Sequence, residues 1–288
     1  MTIQVVTDST ADLPTQTAKD YNITVVPLYI NIEGKSYLDG VELSRQEFYQ
    51  RLPDLKSPPL TSAPGPEIFR QVYEKLAAQG ATEVLSLHIS ASLSATYNIA
   101  QAAAQTTKAV PVTTFDPGQL TLGTGLLVIE AAKAAAAGQS MAEIVAMLAE
   151  KSRRTHTMAA LDTLEFLRRS GRVSHLAYGL GALLSIKPLL TMHSGEMGME
   201  RVRTRRKAIE RLLEMLSELG PFEELAMVHT YAPERAETLH AEAQHFFPLG
   251  RPPIFSSVTP IIGAHIGPGA VGFVGIRAKT ANGKVNET

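Results

Sequence analysis

Hydroxyl side chains are concentrated at one junction of the sequence, where the apolar run 84–89 gives way to a helical pattern. Ser90, Ser92, Ser94 and Thr96 occupy alternate positions of this junction. The start of a helix presents unpaired backbone N–H groups and the positive end of the helix dipole, so hydroxyls gathered there suit a bound anion. One N-cap side chain satisfies only one or two of these N–H groups. At least one hydroxyl is therefore left to contact a ligand.

A second hydroxyl pair, Thr61 and Ser62, lies where a loop meets another helical pattern. Prolines at positions 58, 59, 64 and 66 stiffen this loop, and a rigid loop holds its hydroxyls in place before a ligand arrives. The same oxygens also suit a helix N-cap. Capping and ligand contact both remain open for this pair.

A single histidine, His265, lies in an apolar run that has glycines at positions 263, 267 and 269. A lone histidine in such a run is more often structural, but glycines allow the backbone to approach a ligand closely. We interpret His265 and the two hydroxyl clusters as candidates for binding an acidic small molecule.

Several other chemistries lack their residues in this chain. There is no cysteine, no Gly-x-x-x-x-Gly-Lys-Ser/Thr loop, no Gly-x-Ser-x-Gly elbow and no His-x-x-x-His spacing. Thiol catalysis, nucleotide binding by a phosphate loop and covalent serine catalysis are therefore disfavoured, and we expect no metal site.

Charge is distributed unevenly along the chain. Residues 1–150 carry 9 Lys and Arg against 15 Asp and Glu, whereas residues 151–288 carry 18 against 13. Part of the excess is local, in the runs 168–172 and 201–207, which contain Arg172, Arg203 and Arg205. These runs fit a solvated turn or helix start as well as a phosphate or partner surface, and both readings stay open.

The pattern of the first half predicts a mainly parallel sheet with helices on both faces. Runs rich in β-branched residues at 3–7, 23–32, 84–89 and 110–115 alternate with helical patterns at 45–51, 65–79, 93–105 and 122–137. Ligands of such sheets bind at the carboxyl ends of the strands. The polar groups Asp8-Ser9-Thr10, Ser90 to Ser94 and Asp116 all follow strands, so we expect them on one rim, where Asp8-Ser9-Thr10 either cap a helix or line the cleft.

The second half has more strand patterns and fewer helices. Strands are predicted at 157–161, 186–192, 225–230, 254–262 and 270–276, and helices at 164–169, 175–184, 205–219 and 233–247. The expected fold class is α/β with two domains. An N-terminal three-layer α/β domain covers 1–151, a C-terminal α+β domain covers 152–288, and the ligand lies between them.

Composition indicates a soluble globular protein, with 44% hydrophobic and 19% charged residues. No secretory signal precedes the strand pattern at 3–7, so the default expectation is a cytoplasmic protein. The apolar stretch 120–137 contains Glu130 and Lys133 and favours a buried helix over a membrane span. We expect no stable membrane insertion and no nucleic acid partner.

Six motifs in a fixed order resemble those of the DegV family of bacterial fatty-acid-binding proteins. They read VTDSTADLP, TSAPGPEIF, ISASLSATY, TLEFLRRSGRVS, LLSIKPLL and IIGAHIGPGAVGF, and together they extend from Ile3 to about Ile276. The resemblance implies two α/β domains with one long-chain fatty acid, such as palmitate, between them and no cofactor. It makes Thr61, Ser94 and His265 the partners of the carboxylate, with Ser62 as a weaker candidate.

The resemblance also implies a biological role. Some related proteins present their fatty acid to a separate ATP-dependent fatty acid kinase, which forms an acyl phosphate for phospholipid synthesis. In that role Arg172, Arg203 and Arg205 would meet the phosphate or an acidic kinase surface.

The head-group end of the site departs from the family pattern at two positions. Better-known relatives have glycines where this chain has Ser92 and Ala95, and these side chains narrow the head-group end. Two hypotheses use the same site: a non-catalytic lipid-binding protein that serves as a kinase subunit, and an esterase or acyl-phosphate-handling enzyme that uses Ser94 with His265.

Overall fold

The computed structural model describes residues 2–171, 186–250 and 252–279. Strands and helices alternate through the first half, as its pattern predicts. The elements are β1 (Ile3–Asp8), α1 (Thr15–Asp20), β2 (Ile23–Val26), β3 (Tyr29–Ile32), β4 (Lys35–Leu38), α2 (Arg45–Arg51), β5 (Leu60–Ser62), α3 (Pro66–Ala78), β6 (Glu83–Leu87), α4 (Thr96–Thr106), β7 (Val112–Phe115), α5 (Leu122–Ala136) and α6 (Met141–Ser152).

The second half continues with β8 (Thr155–Ala160), α7 (Glu165–Ser170), β9 (Lys187–His193), β10 (Glu196–Val202), α8 (Arg205–Leu219), β11 (Phe222–His229), α9 (Pro233–Ala243), β12 (Ile254–Ser257), α10 (Pro260–Ile266) and β13 (Val271–Arg277). The predicted helix at 175–184 lies outside the described residues.

The N-terminal sheet is parallel, with the strand order β2-β1-β6-β7. Successive side chains of a strand point to opposite faces, so Val5 and Val6 of β1 pack in different clusters. Val5 packs with the buried side of α5, and Val6 packs with Phe69 of α3 and Ala100 of α4. Helices therefore cover both faces, and the predicted three-layer α/β architecture is confirmed.

The predicted single strand at 23–32 is wrong. β2 ends at Val26, and β3 joins an antiparallel sheet with the strand order β4-β3-β5. Pro27 lies at the break, where a residue without an N–H group cannot continue the ladder of hydrogen bonds. The chain consequently leaves the parallel sheet at this point and forms the small sheet that carries Thr61.

The C-terminal sheet is mixed, with the strand order β10-β9-β8-β13-β11-β12 and one parallel pair, β11 with β12. Helices α8 and α9 pack on one face through Leu212 and Leu239, against Met227 and Phe273 of the sheet. This agrees with the expected α+β organisation. The β10 strand was not predicted.

The predicted strand at 254–262 is also wrong beyond Ser257, because α10 begins at Pro260. Thr259 has the extended backbone of an N-cap, and Pro260 occupies the first helical turn. Proline is well suited to that turn, since its fixed φ angle matches the helix and its missing N–H would have no partner there. His265 consequently lies on a helix rather than on a strand.

One apolar cluster joins the two halves of the chain. It combines α5 residues with Val5 of β1 and Leu85 of β6 on one side, and with Val228 of β11 and Val274 of β13 on the other. The division into 1–151 and 152–288 stays a prediction. Within the described ranges, none of the helices combines the length and apolarity needed to cross a membrane.

Candidate functional site

The site begins with a hydrogen bond between Thr61 and His265, residues 204 positions apart in the sequence. β5 carries Thr61 opposite Ile30 of β3, and the last turn of α10 carries His265. Thr61 Oγ1 and His265 Nε2 are 2.9 Å apart. When Nε2 carries the proton and donates it to Thr61, the threonine hydroxyl is free to donate to a ligand. The pair can therefore present a donor to an anion.

The hydroxyls of the loop 90–96 form two separate pairs. Ser90 Oγ lies 3.0 Å from Ser92 Oγ, and Ser94 Oγ lies 2.8 Å from Thr96 Oγ1. Ser94 also accepts a hydrogen bond from the Thr96 N–H, at 3.2 Å. Ser90 is buried, whereas Ser94 is partly exposed, so Ser94 is the better placed of the two serines to contact a ligand.

Asp8 and Asp116 accept hydrogen bonds from the backbone of the loop 90–96 and of the residue before it. These groups lie together, as expected for polar residues on one rim of the sheet. Asp116 accepts the Ala91 N–H, at 3.0 Å. Asp8 accepts the Ile89 N–H, at 3.1 Å, and the ring N–H of His88, at 3.0 Å. Burial alone would raise the pKa of Asp8, but the hydrogen bond and charge of His88, together with Thr10 and Ile89, hold it below its ordinary value. Asp8 is thus an ionised anchor at the start of the loop.

A cavity of about 650 Å³ brings the predicted head-group residues together. Thr61, Ser62, Ser94 and His265 line it, and so do Ser92 and Ala95. Its remaining walls are mainly apolar and come from both halves of the chain: Leu28, Ile89, Leu93, Ile99 and Leu120 from the first, and Leu167, Leu190, Met197, Ile261, Ile262 and Ile266 from the second. The volume falls within the range of about 300–1,000 Å³ that is usual for small-molecule sites.

Thr61 and His265 also border a second cavity, of about 570 Å³. Its walls include Lys56, the aromatic ring of Phe166, and Arg169 in an ion pair with Glu165. The Thr61–His265 pair therefore separates a largely apolar space from one whose wall carries charged groups, with one cation in excess. An amphiphilic acid requires this combination, since its tail and its charged end need different surroundings.

The predicted basic residues do not all belong to this site. Arg205 forms an ion pair with Asp162, at 2.9 Å, and lines a separate cavity of about 190 Å³. Arg203 is exposed just before α8, whose N-cap is Thr204. The run 201–207 therefore contains the start of a helix, which is one of the two interpretations given for its charges; the other is a phosphate or partner surface. Arg172 lies outside the described residues.

The same geometry bears on the enzyme hypothesis. A serine nucleophile needs a base within hydrogen-bond reach. The hydrogen bonds described above join Ser94 to Thr96 and His265 to Thr61. Nε2 of the imidazole is thus engaged by Thr61, and the arrangement resembles a set of donors more than a nucleophile with its base.

Sequence reasoning missed two groups of residues near the site. Leu190 of β9 and Met197 of β10 line the cavity, and the turn that joins these strands contains Ser194 and Gly195, both with positive φ. A Ser-Gly pair between two strand patterns is a hairpin signal that could have revealed β10. Asp12 accepts the Thr259 N–H and Arg45 donates to the Ser257 carbonyl, both just before α10, and neither gave a comparable local signal.

Comparison with known proteins agrees with these features. The family model described as an uncharacterised protein of the DegV family matches residues 2–278. A DegV domain-containing protein of Streptomyces coelicolor is 36% identical over 275 residues, which cover 94% of this chain and 97% of the relative. A DegV domain-containing protein of Deinococcus radiodurans is 39% identical over 279 residues, with 94% and 97% covered.

Solved structures give the same result. A fatty acid binding DegV family protein from Thermus thermophilus has a TM-score of 0.87 and 32% identity, with 96% of this chain and 100% of that chain covered. DegV, a fatty acid binding protein from Bacillus subtilis, has a TM-score of 0.86 and 30% identity, with the same coverage. The family match over nearly the whole length, together with these relatives, shows that the chain belongs to the DegV family.

Proposed function

We propose that the chain is a cytoplasmic protein that binds one long-chain fatty acid and does not act on it chemically. The observation that carries this proposal is the Thr61–His265 hydrogen bond at the wall of a mainly apolar cavity that Ser94 also lines. Relatives in Thermus thermophilus and Bacillus subtilis, with 32% and 30% identity, are fatty acid binding proteins. Their ligand class fits the cavity of this chain.

The hydroxyls and the imidazole suit a carboxylate head group. Ser94 can donate a hydrogen bond to it, with Ser62 as a weaker contributor. Thr61 and His265 act as a pair: Nε2–H donates to the Thr61 hydroxyl, which donates to the carboxylate, or Nε2–H donates to the carboxylate directly when that hydroxyl turns away. Hydroxyl donors also avoid the cost of keeping a permanent cation buried when the site is empty. Ser92 and Ala95 narrow the same end of the cavity, so we expect them to restrict the pose of the carboxylate.

The tail would supply most of the binding energy. A chain such as palmitate has about 15 carbons beyond its carboxyl group, and burying each methylene contributes about 0.8 kcal/mol, or about 12 kcal/mol before entropic losses. Leu93, Leu120, Met197 and Ile262 are among the apolar residues that would contact it. The head group then chiefly fixes orientation.

Native mass spectrometry of protein purified from cells tests the proposal directly. We expect one long-chain fatty acid for each chain. Protein that carries none after gentle purification, and that takes up none when palmitate is added, would contradict the proposal. Measurable hydrolysis of acyl esters or acyl phosphates that disappears on Ser94→Ala would favour the enzyme hypothesis instead.

Thr61→Val is expected to weaken palmitate binding by about 10-fold or more, because valine keeps the shape of threonine and removes a hydrogen bond to a charged group. Titration calorimetry or a fluorescent fatty acid measures this change. Thr238→Val is the matched control, since Thr238 is exposed on α9 and its hydroxyl bonds only to the carbonyl of Glu234 among the contacts described. Equal palmitate affinities for the two variants would show that Thr61 does not contact the head group.

We also propose that the bound acid is presented to a separate ATP-dependent fatty acid kinase, and that the resulting acyl phosphate enters phospholipid synthesis. Lys56 borders the second cavity beside the Arg169–Glu165 ion pair, where a phosphate added to the carboxylate would meet a net positive charge. Arg203 is an exposed cation that fits an acidic partner surface. Arg205 is also exposed but is paired with Asp162, so it would contribute less, and Arg172 is proposed on the resemblance alone. Basic side chains of this kind steer association with an acidic partner.

Arg203→Glu is expected to leave fatty acid binding unchanged and to slow acyl phosphate formation by about 10-fold or more, because a like charge replaces an attractive one at the proposed contact. The assay follows acyl phosphate with the kinase supplied, and its salt dependence should fall in the variant. Lys108→Glu, a reversal at an exposed lysine of the first half, is the control. Full activity of the Arg203 variant would exclude this surface as the kinase contact.

A further inference from the structure

Side chains from the first half hold the backbone that leads into α10. Arg45 of α2 donates to the carbonyl of Ser257 and, at 3.0 Å, to the hydroxyl of Ser256. Tyr49 of the same helix donates to the carbonyl of Val258, at 3.0 Å. Asp12 accepts the N–H of Thr259, at 2.7 Å. Each of the four residues 256–259, just before α10, is thus held by a hydrogen bond to the first half of the chain.

Asp12 is the most buried of these contacts. Its side chain is inaccessible to solvent and also accepts the hydroxyl of Thr121, at 2.5 Å. Burial raises the pKa of Asp12 to about 6, against the opposing influence of Arg45 and the bonds from Thr121 and Thr259. At pH 8 the group is therefore an ionised acceptor with a donor on each oxygen, and its geometry is well defined.

Helix α10 is also in contact with Tyr49 at its middle residue, Gly263. A Cβ atom on Gly263 would lie 2.3 Å from the hydroxyl oxygen of Tyr49, so helix and ring are in direct contact. His265 is six residues beyond Thr259, or roughly 9 Å along a helix. Over so short a rigid element, a shift at Thr259 carries directly to the imidazole and alters its 2.9 Å bond with Thr61.

We propose that Asp12 and Arg45 are positioning residues for His265, which fix the start of α10 and thereby the place of its imidazole against Thr61 and the carboxylate. Neither residue lies on the head-group wall described above; each acts through the helix. The inference rests on the proposed function, since it assigns these residues to the recognition of the same acid.

The consequence is specific to the head group. Contacts with the tail come from many apolar side chains of several elements, of which α10 supplies only Ile261, Ile262 and Ile266. The contact of His265, in contrast, depends entirely on where this short helix begins. Loss of the Asp12 contact should therefore weaken the binding of an acid more than the binding of an alcohol with the same tail. A general loss of packing would weaken both alike.

The test compares palmitic acid with hexadecanol at pH 8, in wild type, Asp12→Ala and Asp12→Asn. We expect Asp12→Ala to bind the acid about 10-fold more weakly, while its affinity for the alcohol, which depends on α10 only through three of the tail contacts, falls by less than about threefold. Asparagine keeps an oxygen that accepts the Thr259 N–H, so Asp12→Asn should retain the preference for the acid. Arg45→Met serves as the second variant if Asp12→Ala does not fold, and should reduce the same preference.

Leu212→Ala is the control for lost stability. Leu212 is buried in the cluster of α8 and α9, apart from α10, so it should change the two affinities alike. Equal losses for acid and alcohol in Asp12→Ala and Arg45→Met, or a failure of Asp12→Asn to keep the preference, would overturn the inference. A wild-type protein that binds neither ligand, or that does not prefer the acid, would instead contradict the proposed function, and the inference with it.

Discussion

Asp8→Ala is expected to lower the free energy of unfolding by about 3–5 kcal/mol, because it leaves a buried histidine without its anion. Asp8 and His88 are both inaccessible to solvent and joined at 3.0 Å. Asp8 also accepts the N–H groups of Thr10 and Ile89, at 2.9 and 3.1 Å, and the Thr10 hydroxyl. Alanine removes all these acceptors at once and leaves their buried donors without protein partners.

Urea denaturation at pH 7 measures this loss, and Asp54→Ala, at an exposed aspartate, should stay within about 0.5 kcal/mol of wild type. The pKa of Asp8 is held below its ordinary value of 3.8. Its contribution is therefore complete above that value and disappears as the pH falls through the lowered pKa. A loss below about 1 kcal/mol at pH 7 would show that the buried pair contributes little.

Asp39→Asn is expected to have the opposite effect and to stabilise the protein at pH 8 by about 2–4 kcal/mol. Asp39 is 2% exposed. The hydroxyls of Ser9 and Thr259 lie near its carboxylate, but neither oxygen has a hydrogen bond of normal geometry among the described residues. Burial and, to a smaller extent, the charge of Asp12 raise its pKa to about 7, against the opposing influence of Ser9, Arg45 and Thr259. Above that pH the folded chain keeps a carboxylate charge that asparagine does not carry.

The pH dependence of the free energy of unfolding follows from the raised pKa of Asp39. In the unfolded chain Asp39 ionises near its ordinary value of 3.8, but in the folded chain it ionises near 7. The folded state is therefore penalised increasingly as the pH rises from about 4 to 7, and the penalty is constant above that range. Urea denaturation at pH 8, 6 and 4 should show the advantage of Asp39→Asn shrinking towards zero. An advantage that does not change with pH would contradict the explanation, and Asp54→Asn is the exposed control.

The head-group residues could be identified from the sequence because their types and local surroundings are unusual. Thr61, Ser94 and His265 are polar residues in proline-rich, hydroxyl-rich and glycine-rich segments, and the family resemblance names the same three. Their contact could not be derived in this way, since Thr61 and His265 are 204 residues apart. It depends on β5 pairing with β3 and on α10 packing beside both, which only tertiary structure fixes.

Local rules also explain where the predicted elements are wrong. Apolar β-branched residues on both sides of Pro27 and of Pro260 gave continuous strand patterns, although each proline marks a change of element. Asp12 is harder to predict. In the sequence it belongs to a run of polar residues that resembles an ordinary helix cap, and its role appears only when Thr259, from the opposite end of the chain, is placed against it.

The apolar cluster around α5 limits how this chain can be divided. Leu126 and Leu127 are nearly inaccessible to solvent, and the cluster reaches strands of both sheets. A fragment that ended after α6 would keep α5 but lose β11 and β13, and would expose a large apolar surface of α5 to water. The complementary fragment would keep α8 and α9 on one face of its sheet but would lack α5 on the other face. Evolution and protein engineering can therefore exchange loops and cavity walls in this fold far more readily than whole halves.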